Sequence, residues 1–151
     1  MNNSEVLQVE NKATIAKIPL IAAVIALLGI ADSIYLTVHH YTAEPVPCSL
    51  VSGCEMVLTS QYAEMFGIPT AAYGIAAYLT AFVLAVLAAF VSRSWWNLFG
   101  AVVTVMLGFT LYFLYLQAYV IEAFCQFCLL SAISTATLFI IFAVSKVLRT
   151  K

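Results

Sequence analysis

Charge is what this chain has least of. Only 9% of its 151 residues are Asp, Glu, Lys or Arg, while 64% are hydrophobic. A soluble domain carries about 25% charged residues, so a globule in water is excluded for want of polar surface. A net charge of −1 offers no basic footprint for nucleic acid. The few glycines form no Rossmann fingerprint, and neither a haem motif nor a flavin fingerprint is present. Cysteine is scarce too, at four residues, so each one has to be accounted for.

What is abundant is long apolar runs, with a mean hydropathy of +1.05. Ile18–Val38, Ala71–Val91, Leu98–Val120 and Phe127–Val147 are each long enough, at 1.5 Å per helical residue, for a hydrocarbon core of roughly 30 Å. The first run could be a signal peptide, but it continues past the small-residue site near Ala31, which favours an uncleaved helix. Met1–Lys17 is polar and reads as a short disordered tail. The fold class expected is an all-α integral membrane protein: a four-helix bundle with a short interfacial helix in its first external loop. In the loop 39–69, Ser52-Gly53-Cys54-Glu55 reads as a capping box and Gly67 with Pro69 as a stop. That predicts a helix over about Gly53–Phe66, lying on the interface. Trp95-Trp96 reads as an interfacial pair.

Alternation of four spans sorts the charges. Lys12, Lys17, Arg93, Lys146, Arg149 and Lys151 fall on one face; Glu44, Glu55, Glu64 and Glu122 fall on the other. The excess of Lys and Arg on cytoplasmic loops puts both termini in the cytoplasm. Residues 1–17 and 148–151 are then cytoplasmic tails, 18–147 is the membrane catalytic domain, and all four cysteines lie on the oxidising, extracytoplasmic side of the inner or plasma membrane.

Cys125-Gln126-Phe127-Cys128 opens the last run, one helical turn apart, where a helix N-terminus favours thiolate. Cys48 and Cys54 form a looser pair, with Cys54 in the first turn of the expected short helix. Three readings stay open: structural disulfides, a Cys₄ zinc site and a thiol–disulfide relay. A bridge across Cys-x-x-Cys closes almost no loop, so it adds little stability. The spacing of the first pair is wider than usual for zinc. Two pairs at helix starts suit a relay. A relay at membrane depth needs a lipid-soluble acceptor such as a quinone (ubiquinone or menaquinone). Phe109, Phe113 and Gln117 share a helix face that could line its pocket, although ordinary helix packing explains such phenylalanines as well.

These residues together resemble the vitamin K epoxide reductase family. The resemblance rests on Cys48-(five residues)-Cys54, Ser60, Gly67-Ile68-Pro69-Thr70-Ala71-Ala72-Tyr73-Gly74 and Cys125-Gln126-Phe127-Cys128, with Ile30–Thr37 similar to the family's first helix. It implies a bundle around a quinone, with Cys125 and Cys128 as the redox centre. It also implies that Cys48 forms a mixed disulfide with a thioredoxin-fold (DsbA-like) partner, that Cys54 passes the exchange to Cys125, and that Cys128 reacts with the quinone. Ser60 matches a polar residue near the quinone carbonyl. No thioredoxin-like domain follows in this sequence, so a separate partner is expected. Vertebrate members have Tyr where this chain has Ala132, which counts against vitamin K epoxide as the natural substrate. A DsbB-type oxidase carries its two pairs in the opposite order.

Asp32 lies in the outer half of the first span. It could relay a proton to a quinone, but a protonated carboxyl bonded to Ser33 or a neighbouring helix is the reading ahead of it. His39 and His40 belong to the interface, where one near Cys48 could stabilise its thiolate. Glu122 is expected to point to water. The expected activity is a membrane thiol–disulfide oxidoreductase, a quinone-dependent enzyme without a metal, with membrane lipid and a DsbA-like protein as partners. The alternative is a non-catalytic four-span scaffold or transporter subunit with structural disulfides.

Overall fold

In lipid, hydrophobicity does not separate inside from outside, because the solvent is as apolar as leucine. Side-chain size does. In the computed structural model the backbone is described for residues 3–51 and 53–150, and side chains for 17–51 and 53–148. The elements are α1 (Asn3–Thr42), α2 (Cys54–Leu58), the strands β1 (Glu64–Met65) and β2 (Ile68–Pro69), α3 (Thr70–Phe90), α4 (Trp95–Tyr115) and α5 (Gln126–Thr150). A single π-helical segment, Leu116–Val120, extends α4. Four segments are long and apolar enough to span a membrane: Lys17–Thr42, Thr70–Phe90, Trp95–Val120 and Gln126–Leu148. The protein is an all-α, four-helix membrane bundle.

Along α1 the small Ala22, Ala23 and Ala26 are buried while Ile21, Val24 and Leu28 face outward. Their partners on α3 are small as well: Ala81, Ala85 and Ala88. A Cβ on Gly29 would run into the ring of Tyr78, and one on Gly74 would lie 2.8 Å from Ser33 Oγ. Those two absences let the Tyr78 ring of α3 and the Ser33 side chain of α1 lie directly on the facing helix. On the far side, the ring of Phe142 from α5 occupies the space over Gly100 of α4.

Three sequence expectations need correction. The polar start is helical from Asn3; neither Gly nor Pro interrupts residues 3–18, so nothing stops α1 from extending. The interfacial helix ends at Leu58, not Phe66. Thr59 Oγ1 bonds the carbonyl of Glu55 at 2.7 Å and Ser60 Oγ that of Val57 at 2.7 Å, and hydroxyls that compete for carbonyls favour turns over helix. The chain then makes an antiparallel two-strand ribbon pairing Glu64 with Pro69 and Met65 with Ile68. Phe66 and Gly67 both take positive φ at its tip (56° and 77°). The helix follows Gly53 without a side-chain cap, and Ser52 lies outside the described residues. Finally, Trp96 does not turn its ring outward. It is fully buried, stacked on Phe99 with centroids 4.4 Å apart, and donates from Nε1 to Ser145 Oγ at 2.7 Å. Only Trp95 keeps an exposed ring.

Candidate active site

The four cysteines meet at the end of the bundle that carries α2 and the start of α5. Cys48 and Cys54 are joined by a disulfide, and Cys125 and Cys128 are free thiols. Because Cys48 and Cys54 bond each other, the sulfurs do not form one four-thiolate zinc set.

Cys54, Val57, Ala123 and Cys125 form a small buried cluster with Cys48 and Cys128 packed against it. Two features of the sequence bring the loop to this place. A Cβ on Gly53 would stand 2.8 Å from the carbonyl oxygen and 2.9 Å from the nitrogen of Phe124, closer than real side chains approach. Only glycine lets residue 53 lie on the backbone just before Cys125. Gln126, between the two helix cysteines, holds the other end of the loop. Its Oε1 accepts from the Leu50 N–H at 3.0 Å and its Nε2 donates to the Pro47 carbonyl at 3.3 Å. Cys48 therefore sits in a clamped segment above Cys125 and Cys128. The polar Gln126 in an apolar run was the visible signal; what it bonds was not.

Cys125 immediately precedes α5, and its carbonyl accepts the Leu129 N–H at 3.0 Å. Its own N–H is held by Gln117 Oε1 at 3.0 Å. Gln117 also accepts the Ala123 N–H through its backbone carbonyl at 3.1 Å, so the π-helical turn that carries it fixes the connection 121–125. The Cys125 thiol is lowered from 9.0 to about 7. The side-chain hydrogen bond from Cys128 is the largest cause, burial acts against it, and the backbone N–H groups of Cys128 and Phe127 assist.

The two helix cysteines face different surroundings. Cys125 is fully buried against Cys54. Cys128 lines an open cavity of about 580 Å³ whose walls come from all four long helices, α2 and the strand ribbon. This size falls in the range of small-molecule sites, ≈ 300–1,000 Å³. Ser60, Phe109, Phe113 and Gln117 all line it as well. Ser60 spends its hydroxyl proton on Val57 O, so in this conformation it can only accept. Gln117 has its amide oxygen committed to Cys125.

Other residues differ from expectation. Asp32 lines the cavity and is 8% exposed, yet neither carboxyl oxygen has a hydrogen-bond partner among the described residues. It is bonded neither to Ser33 nor to a neighbouring helix. Deeper in, Tyr78 donates to the Ser131 carbonyl at 2.8 Å and shares hydrogen bonds with the hydroxyls of Ser131 and Thr135 at 2.9 and 2.8 Å. This network went unnoticed in the sequence because Tyr78 lies more than fifty residues from its two partners. Of the interfacial histidines, His39 Nδ1 is 3.3 Å from the Glu44 carbonyl and His40 Nε2 is 2.8 Å from Glu64 Oε1. Glu122, by contrast, is exposed as expected, with a positive φ of 55°.

Such an arrangement is suited to two chemistries at once: sulfur exchange in the loop cluster, and reduction of an apolar acceptor in the cavity. Residues 20–143, most of the chain, match the model of the Vitamin K epoxide reductase family.

Proposed function

The chain belongs to the vitamin K epoxide reductase family, and on that premise we propose that it takes electrons from a thioredoxin-fold partner and passes them to a membrane quinone. One observation carries the reading: Cys125 packs on Cys54, while its neighbour Cys128 opens into an apolar cavity. The two ends of an electron path are thus three residues apart.

Cys48 is partly exposed and Cys54 buried, so Cys48 is the sulfur a partner thiolate reaches. Attack there breaks Cys48–Cys54 and forms a mixed disulfide; the partner's second thiol resolves it, leaving the partner oxidised and Cys48 and Cys54 as thiols. When Cys125 and Cys128 are joined, Cys54 attacks Cys125, and Cys128 leaves as a thiolate at the cavity wall. Cys48 then attacks Cys54, closing the loop disulfide and freeing Cys125. The lowered Cys125 thiol makes it a good leaving group in that last step.

The cavity residues fit a quinone head group: Val102, Val105, Met106, Phe109 and Phe113 of α4 form an apolar wall, and Cys128 and Asp32 bring polar chemistry to it. A quinone held there would supply the two-electron, two-proton acceptor that Cys125 and Cys128 need. A DsbA-like partner, near −120 mV, requires an acceptor still more oxidising. The distribution of Lys and Arg supports the cysteines facing the extracytoplasmic side of the inner or plasma membrane, with both termini in the cytoplasm.

The test is quinol formation by purified protein supplied with a reduced DsbA-like protein and a short-chain ubiquinone. One quinol per partner disulfide is expected, and Cys→Ser at 48, 54, 125 or 128 should abolish it while the protein still accumulates in the membrane. Failure of the Cys125→Ser and Cys128→Ser variants to accumulate would favour the scaffold with structural disulfides instead.

A further inference from the structure

Reducing a quinone to a quinol takes protons as well as electrons, and among the described residues Asp32 is the one carboxylic acid that lines the cavity. We propose that Asp32 is the proton donor to the acceptor at the inner wall of the cavity, a role that rests on the quinone reading above. Asp32 is buried, lines the same cavity as Cys128, and leaves both carboxyl oxygens without a partner among the described residues. Buried polar groups are otherwise hydrogen-bonded in nearly all cases. An unpartnered carboxyl on a residue that lines the cavity, its oxygens themselves sealed from solvent, is a group that a ligand atom reaches once the side chain turns into the cavity.

The surroundings single it out. From α3, the Tyr78 hydroxyl gives its proton to the Ser131 carbonyl and the Tyr73 hydroxyl bonds the Met65 carbonyl at 3.1 Å. From the loop, Ser60 donates to Val57, and Tyr62 lines the wall. On α1 itself, His40 stands two turns further out, at the rim, paired with Glu64. Cys128 is the titratable group on α5 that reaches the cavity, and the α4 wall is apolar apart from Thr110. Among the described residues no Lys or Arg lines the cavity. Burying a carboxylate without cation or donor favours its neutral form. That form has a proton to give.

The balance is simple. Cys125 and Cys128 lose two electrons and two protons as the S–S bond forms, and the acceptor gains both. One proton passes through Asp32, which gives up its carboxyl proton and regains one from the thiol that ionises. The other comes from the second thiol as it enters the disulfide. Asp32 ends as it began.

The experiment combines infrared spectroscopy with separated half-reactions, on full-length protein and a short-chain ubiquinone. A protonated-carboxyl C=O band should be present in the wild type without ubiquinone, vanish in Asp32→Asn, and shift when ubiquinone is added. Quinol formation should fall by about 10²-fold or more in Asp32→Asn, in the range for loss of a general acid. Asp32→Glu should recover part of it, and reduction of Cys48–Cys54 by the partner should be unchanged in both variants. A wild type that forms no quinol overturns the quinone reading and this proposal with it. Wild-type quinol formation with an equally fast Asp32→Asn, or an Asp32 band indifferent to ubiquinone, overturns the proposal alone.

Discussion

Gly53 decides how closely the loop disulfide approaches Cys125. Gly53→Ala places a methyl group against Phe124 and should slow transfer between Cys54 and Cys125 by about tenfold, the equivalent of 1.4 kcal/mol. Trapping of the Cys54–Cys125 intermediate by rapid alkylation measures this. Gln117→Leu removes the acceptor of the buried Cys125 N–H, a loss of roughly 1–3 kcal/mol, visible as a lower Tm in detergent. The reduced protein should show thiolate absorbance rising as pH increases through about 7, lost in Cys125→Ser. Cys128→Ala, lacking the hydrogen bond that lowers the Cys125 thiol, should move that rise upward. Below the inflection the thiol is protonated and exchange slows. At this scale the cysteines were legible because their chemistry travels with local spacing. Gly53 and Gln126 act on segments about 70 to 80 residues away, and one sequence does not reveal such pairs.

Helix by helix, the four spans were readable because length and composition alone identify them. Their ends were harder to place. In α2, Thr59 and Ser60 turn their hydroxyls onto backbone carbonyls, and a five-residue helix replaces the longer one that the apolar residues up to Phe66 suggest. Trp96 illustrates the opposite error, since a tryptophan at the start of a span reads as interfacial until Ser145 supplies a buried partner. The packing itself depends on missing side chains. Gly100→Leu, which drives a branched side chain into Phe142, should cost about 1–3 kcal/mol by overpacking and lower Tm, while an outward substitution such as Val24→Leu should leave it unchanged.

Taken whole, the molecule joins a clamped disulfide loop to an apolar cavity through one helical turn. Cys125 packs in the loop cluster and Cys128 lines the cavity. Charge composition reveals the membrane, and cysteine spacing the redox chemistry, but neither describes the cavity, which is built from side chains of every long helix. In the proposed function Cys128 meets the quinone there. The most direct measurement is the visible absorbance of Cys125→Ser with ubiquinone added, a variant in which Cys128 has no partner and can ionise. A long-wavelength charge-transfer band, absent from the Cys125→Ser/Cys128→Ser double variant, is the expected result. A Cys125→Ser protein that binds ubiquinone with Cys128 ionised and shows no band would contradict it.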